Sequence, residues 1–236
     1  MLFADPLKPE HGKPADAVVS AGVGNFFQHF ENECFVIADR VPGKPNAPIA
    51  ARLALETAFW GYKLVRQRRS YWRNRDAFLK RIFRSTNISL WQKHREEGFE
   101  AGLASSLLVC MFRGNNYWVG STGTISGFLL RDGELAKLTK EDVDSQGYVM
   151  KMVGKDRFGL VPRLANGPFK INDTILLATS NVVRSVSEQE MQSVLETAGS
   201  TTDSLAKAVD GLLAKAKAKK HSSRLAAAVV IKRVKI

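Results

Sequence analysis

The chemistry of this chain starts from one carboxylate. Asp39 stands in Val36-Ile37-Ala38-Asp39-Arg40-Val41-Pro42-Gly43, after an apolar run and before a Pro/Gly break. Arg40 follows directly, and its guanidinium is permanently charged. On the residues alone, Asp39 forms an ion pair with Arg40 or caps the turn. Other reactive groups are scattered. The four histidines, His11, His29, His94 and His221, have no metal-ligand spacing to another His, Cys or acid. Cys34 and Cys110 form no Cys-x-x-Cys motif and lie in apolar runs, which predicts free thiols in a reducing compartment. Gly120-Ser121-Thr122-Gly123 lacks the lysine of a phosphate-binding loop and reads as a turn between strands.

Charge is the second signal. The net charge is +12, from 35 Lys+Arg against 23 Asp+Glu. The excess is local: Lys63 to Arg95 holds eleven Lys/Arg and a single acid, Asp76. A second cluster is Lys215, Lys217, Lys219 and Lys220, followed by His221 and Arg224. Tyr71, Trp72, Phe78, Phe83 and Trp91 interleave with arginines, a mixture that suits nucleic acid. An amphipathic helix with core aromatics gives the same mixture and is the preferred reading. The first residues show no basic segment followed by an apolar one, so no signal peptide is expected. No apolar run approaches the ~18 residues of a membrane span. The expectation is a cytoplasmic protein.

The elements that must position these groups follow from punctuation and periodicity. Residues 1–15 read as a loose arm, and 16–236 as one domain. Ala17–Ser20 and Cys34–Ala38 read as strands separated by polar and Gly residues. Pro48 opens a helix to about Arg68 whose predicted buried stripe is Ile49, Leu53, Ala54, Thr57, Trp60, Gly61 and Leu64. A second helix is predicted from about Tyr71 to Glu97, with Leu79, Ile82 and Phe83 inward. Strands are expected at Leu103–Phe112, Asn116–Val119, Ile125–Leu130, Leu135–Leu138 and Thr174–Thr179, with a hairpin turn at Asp132-Gly133. Ser187 and Glu190 form a capping box for a helix to about Thr197. Another helix starts near Asp203, and Leu225–Val234 is the last strand. Strand runs and helix pairs are segregated, so the fold class is α+β. The arrangement that buries every apolar stripe is two antiparallel sheets packed as a sandwich, with a pair of antiparallel helices on each outer face.

Several of these stretches, in order, resemble the metal-dependent serine/threonine protein phosphatases of type 2C. Val36–Gly43 resembles that family's Val-Ala-Asp-Gly-Met-Gly-Gly, and Gly123-Thr124-Ile125-Ser126 its Gly-Asp-Ser-Arg. Leu176-Leu177-Ala178-Thr179-Ser180-Asn181 resembles Leu-Leu-Cys-Ser-Asp-Gly, and Ser223-Arg224-Leu225-Ala226 resembles Asp-Asn-x-Thr. Gly102–Ser106, Phe128–Leu135, Leu138–Asp142 and Asn172–Leu177 match further strands and turns, and Val149–Gly154 resembles a family helix ending in Leu-Gly. The likeness spans Ala17 to Val234. Its implication for chemistry is two Mg²⁺ or Mn²⁺ ions bridged by a water, held mainly by carboxylates.

The departures fall on the ligands. Asp39 matches the bridging aspartate. Arg40 replaces a glycine whose carbonyl helps bind metal, so its guanidinium is expected near the ion position, where it is a candidate anion or phosphate contact. Thr124, Asn181 and Ser223 replace aspartates. The family's early Asn-Glu-Asp aligns with Val23-Gly24-Asn25, which loses both acids. The alternative register uses Glu33, only six residues before Asp39. The family's phosphate-binding arginine then falls near Ser20, or on His29 in the rejected register. The resemblance therefore implies a pseudophosphatase with no metal or other cofactor. It would be a protein-binding module whose partner is a serine/threonine kinase or phosphoprotein. The runner-up is a weak phosphatase with substitute ligands among Glu33, Glu141, Asp142 and Asp173. A basic nucleic-acid-binding protein is the third reading. Arg66, Arg69 and Arg73 form the candidate docking face for an acidic protein surface.

Overall fold

The computed structural model describes residues 17–22, 27–31, 34–41, 43–44, 46–66, 73–96, 99, 102–218 and 226–234; side chains are described from Cys34 onward, except those of Val65 and Arg66. Ser223, Arg69, Glu33, the Val23-Gly24-Asn25 stretch, Tyr71, Trp72, Lys219, Lys220, His221 and Arg224 lie outside it.

Among the described residues, ten strands form two five-stranded sheets in which every pairing is antiparallel. The first sheet has the order β1 (Ala17–Gly22), β10 (Ala228–Arg233), β9 (Thr174–Ala178), β6 (Ser126–Arg131), β7 (Glu134–Lys137). The second has the order β2 (Phe27–Glu31), β3 (Cys34–Arg40), β4 (Ser105–Arg113), β5 (Asn116–Thr122), β8 (Arg163–Pro168). Helices α1 (Ala47–Arg66) and α2 (Arg75–Lys93) cover the second sheet. The short α3 (Ser180–Ser185), α4 (Glu188–Thr197) and α5 (Thr202–Ala218) lie on the side of the first sheet. This is the α+β sandwich expected from the sequence.

Strand alternation divides the core. Phe35, Ile37, Leu108 and Cys110 point between the sheets, toward Leu129, Ile175 and Leu177. Val36, Ala38, Leu107 and Val109 point outward onto the helix layer, where they meet Ala54, Ala58, Leu79 and Phe83. Continuous apolar runs in β3 and β4 follow from this, since each face is covered. Both cysteines are free and buried, and burial alone pushes the Cys110 thiol far up. The β6–β7 turn has positive φ at Asp132 (50°) and Gly133 (78°), as an Asp-Gly hairpin requires. Ser187 and Glu190 make the reciprocal capping box.

Some expectations are corrected. The inward face of α1 is Ala47, Ala50, Ala51, Ala54, Leu55, Ala58, Phe59 and Tyr62. Ile49, Trp60 and Leu64, expected in the core, face solvent. Alanines bring the helix close to the sheet, and the period-3.6 pattern fitted two apolar faces. Val149–Gly154 is not helical; its ends are tied by isolated bridges, Val143 to Val149 and Ser105 to Val153. Gly120–Thr122 is strand rather than turn. A Cβ at Gly120 would sit 2.8 Å from Phe83 Cε2, so glycine there admits the α2 ring. Three elements were not foreseen: β2, β8 and α3. Arg163-Leu164-Ala165-Asn166-Gly167-Pro168 has no apolar alternation because β8 is an edge strand, where proline is tolerated at the end.

Candidate functional site

The end of β3 carries Asp39 into the interior between the sheets, where it is 4% exposed. Across the ladder it pairs with Ser106 of β4. Ser105 Oγ donates to the Asp39 carbonyl at 2.9 Å, fixing the backbone. Ser106 Oγ accepts from the Thr124 amide at 3.2 Å and lies 3.4 Å from the Thr124 hydroxyl. Gly123, with φ +83°, allows this approach, since a Cβ there would lie 2.1 Å from Ser106 Oγ. From the other sheet, β9 ends at Ala178 and Thr179 caps α3. Ser180 then donates to Asp39 Oδ2 through its hydroxyl (3.1 Å) and amide (3.4 Å). Asn181 is the next residue of α3. Thr179 exchanges backbone and side-chain hydrogen bonds with Ala227, which brings the residues just before β10 to the same place.

The fold therefore gathers Asp39, Thr124 and Asn181. It treats Arg40 differently. Phe35, Ile37 and Asp39 share the inter-sheet face, so strand parity turns Arg40 toward the helix layer with Val36 and Ala38. Arg40 is not among the residues lining the cleft described below, and neither are Asp39 and Asn181. Its Nε is buried and has no hydrogen-bond partner among the described residues.

The substitute acids are engaged elsewhere. Asp173 accepts two bonds from Arg131, at 2.9 and 2.6 Å, and a third from the Lys170 amide. Asp142 pairs with Arg163 at 2.8 Å and accepts from the Gly123 amide. Glu141 pairs with Lys137 at 3.3 Å. No group of three or more His, Cys, Asp or Glu suited to a metal occurs among the described residues. Glu33 lies outside them.

Beside Thr124 and Ser180 opens a cleft of about 750 Å³. Among the described residues its charged lining is Lys44, Lys155 and Arg184, with the imidazole of His94 and no carboxylate. Val41, Leu103, Tyr148 and Met152 supply apolar wall. His94 caps α2, stands edge-on to Trp91 at 5.6 Å, and has no partner for Nδ1 among the described residues. Sequence reasoning missed these residues because they come from five separate segments. The basic excess it relied on lay elsewhere.

Burial pushes the Asp39 carboxyl up from 3.8 to about 6, against the opposing pull of the Ser180 hydrogen bonds and the Arg40 charge. A raised folded-state value means that the native state binds the proton more tightly than the unfolded chain does. Stability is then full below about pH 4 and is lost as pH rises through about 6, by roughly 3 kcal/mol in total. Asp39→Asn removes the ionisation and keeps an acceptor for Ser180. It is expected to exceed wild type in urea stability by about 3 kcal/mol near pH 8 and to match it near pH 4. A difference independent of pH would contradict the assignment.

No protein-family model matches the sequence, and no curated protein sequence matches it. Solved structures do. The Mycobacterium tuberculosis serine/threonine phosphatase PstP/Ppp is 17% identical, covers 94% of this chain and 100% of its own, and superposes with a TM-score of 0.76. The PstP catalytic domain in complex with two manganese ions gives 18% identity, coverage of 93% and 99%, and a TM-score of 0.76. PppA of Pseudomonas aeruginosa gives 16%, 92% and 96%, and 0.73. At such identities the likeness speaks for architecture. Over nearly its whole length, this chain carries the fold of the type 2C serine/threonine phosphatases.

Proposed function

We propose that this protein is a pseudophosphatase: a catalytically inactive type 2C-like fold that serves as a protein-binding or regulatory module in serine/threonine phospho-signalling. One observation carries the reading. Where the resemblance places a cluster of carboxylate ligands, the described residues offer Asp39 alone, flanked by a cleft whose charged side chains are all cationic. Two divalent ions need several hard oxygen ligands and their negative charge. Lys44, Lys155 and Arg184 oppose that requirement. The same groups suit a phosphorylated side chain held without metal. Ammonium and guanidinium groups would neutralise the dianion, and the Thr124 and Ser180 hydroxyls would complete its hydrogen bonds. Arg40 then contributes at most through its field. The partner is a phosphoprotein or a kinase.

The weak-phosphatase reading loses support from the Arg131–Asp173 and Arg163–Asp142 pairs, which would have to break to free their carboxylates. For nucleic acid, the described residues of the two basic clusters stand on opposite outer layers, α1–α2 and α5. Lys215 of the second is also paired with Glu190. A continuous basic track is therefore absent among the described residues.

The test is assay and binding together. With Mg²⁺ or Mn²⁺, p-nitrophenyl phosphate hydrolysis is expected to equal the protein-free blank. A phosphoserine peptide is expected to bind in EDTA, and Lys44→Glu/Arg184→Glu to weaken it about tenfold or more. Metal-dependent turnover in wild type would overturn the reading.

A further inference from the structure

The outward face of α1 carries large apolar side chains that are exposed among the described residues. Ile49, Trp60 and Leu64 are 48%, 54% and 68% exposed, and Leu53 is only partly buried. At positions 49, 53, 60 and 64 they form one line along the helix, since residues three and four apart share a face. The line is about 22 Å long at the helical rise. Monomeric surfaces carry single apolar residues without consequence, but an aligned row that includes a tryptophan is the composition of an interface. The row borders the seam with α2. A Cβ at Gly61 would make ordinary contact with Ser85 Oγ at 3.5 Å and Ile82 Cγ1 at 4.0 Å, which places the seam beside Trp60 and Leu64.

Across the seam the surface is basic. Arg73, Lys80 and Arg84 are exposed and have no carboxylate partner among the described residues. Lys63 lies over the rings of Phe59 and Trp60, at 4.9 and 5.9 Å, and adds its charge to the other edge of the row. An apolar ridge between cations is complementary to a helix with an apolar stripe and acidic flanks.

We propose that the α1–α2 face docks an acidic amphipathic helix of a partner protein, with Trp60 and Leu64 as its anchors and Arg73, Lys80 and Arg84 as its steering charges. Of the arginines expected to dock, only the side chain of Arg73 is described. This assignment shares no residue with the cleft beside Thr124 and Ser180. Charge selects the occupant. A second copy of this chain would bring the same cations face to face. An anionic membrane would have to accept Glu56, which sits in the row between Leu53 and Trp60 and pairs with Arg52 at 3.0 Å. A protein can meet Glu56 with a hydrogen-bond donor.

The experiment is selection of random peptides of about 18 residues, displayed on phage, on the full-length protein, followed by binding kinetics of the winners. The expected winners are net acidic with apolar residues at i, i+3 or i+4, and i+7. Trp60→Ala/Leu64→Ser should accelerate their dissociation about tenfold or more. Lys80→Glu/Arg84→Glu should slow association about tenfold and flatten its salt dependence. Circular dichroism melts should be unchanged, because these side chains are exposed. The proposal is overturned if no such peptide emerges, if winners are indifferent to both double variants, or if wild type instead sediments with phosphatidylserine vesicles. Concentration-dependent dimerisation abolished by Trp60→Ala would also overturn it, in favour of a second copy.

Discussion

Gly154→Ala is expected to be strongly destabilising for so small a substitution. Gly154 has φ +87°, and a Cβ there would lie 2.1 Å from the Leu103 carbonyl oxygen and 2.8 Å from Leu90 Cβ. Neither neighbour is a flexible side-chain end. The Leu103 carbonyl belongs to the backbone leading into β4, and Leu90 is fully buried in α2. Relief would pull the loop away and break its clasp. That clasp is Asn87, buried on α2, which accepts from the Gly154 amide at 2.8 Å and donates to the carbonyls of Asp156 and Arg157. Left-handed strain costs about 1 kcal/mol and overpacking about 1–3. Loss of buried hydrogen bonds adds about 1–3 more. The sum is about 3–7 kcal/mol, a large share of a typical domain's stability. Urea titration at an unchanged m-value measures it. A loss under about 2 kcal/mol would mean that the loop is not pinned as described. Gly154 and Lys155 both line the cleft, so anion binding should fall with stability.

This loop also marks where the sequence stops being legible. Its likeness to a family helix ending in Leu-Gly was carried by Val149–Gly154, yet the segment is held by two isolated bridges and Asn87. A polar residue reaching across the structure leaves no periodic trace. By contrast, the β6–β7 turn, the Ser187–Glu190 capping box and α5 were readable, because each is decided by neighbours in sequence. Apolar runs identified β3, β4 and β9 for the same reason. The α1 face was misread since Ile49, Leu53, Trp60 and Leu64 have helical spacing as clear as the alanine face beneath them. Hydrophobic size favoured the wrong side; close helix–sheet approach chose the small residues.

The site divides in the same way. Asp39, Thr124 and Asn181 were found through short motifs whose order is preserved. What surrounds them was not, because Ser180 reaches Asp39 across 141 positions of chain and Ser106 reaches Thr124 across 18. The Asp39–Arg40 pair suggested by adjacency is divided between the two faces of β3, a consequence of strand parity that motif matching ignores.

Rebuilding the lost ligands is expected to restore metal binding. In the variant Arg40→Gly/Asn181→Asp/Ser223→Asp, two carboxylates join Asp39 and a permanent cation leaves. The geometry favours convergence: Ser180 already touches Asp39 Oδ2, and Thr179 is bonded to Ala227, four positions after 223. Without metal, two added carboxylates beside a buried one repel, so the variant should be less stable than wild type near pH 8 and recover on acidification. Manganese should reverse the loss, because a ligand bound only by the native state stabilises it in proportion to the logarithm of its concentration over Kd. A midpoint rise with Mn²⁺ in the variant and none in wild type is the expected pair of thermal curves. Calorimetry should show affinity at least about a hundredfold above wild type, on the order of 3 kcal/mol. Asp39→Asn placed on top of the three changes should abolish the gain, since that carboxylate is the bridging one implied by the resemblance. Micromolar Mn²⁺ binding by wild type would contradict the pseudophosphatase reading. A variant that binds no better than wild type would instead show that 181 and 223 are not ligand positions. The two failures are separable because the first is read on the unaltered chain and the second on the rebuilt one.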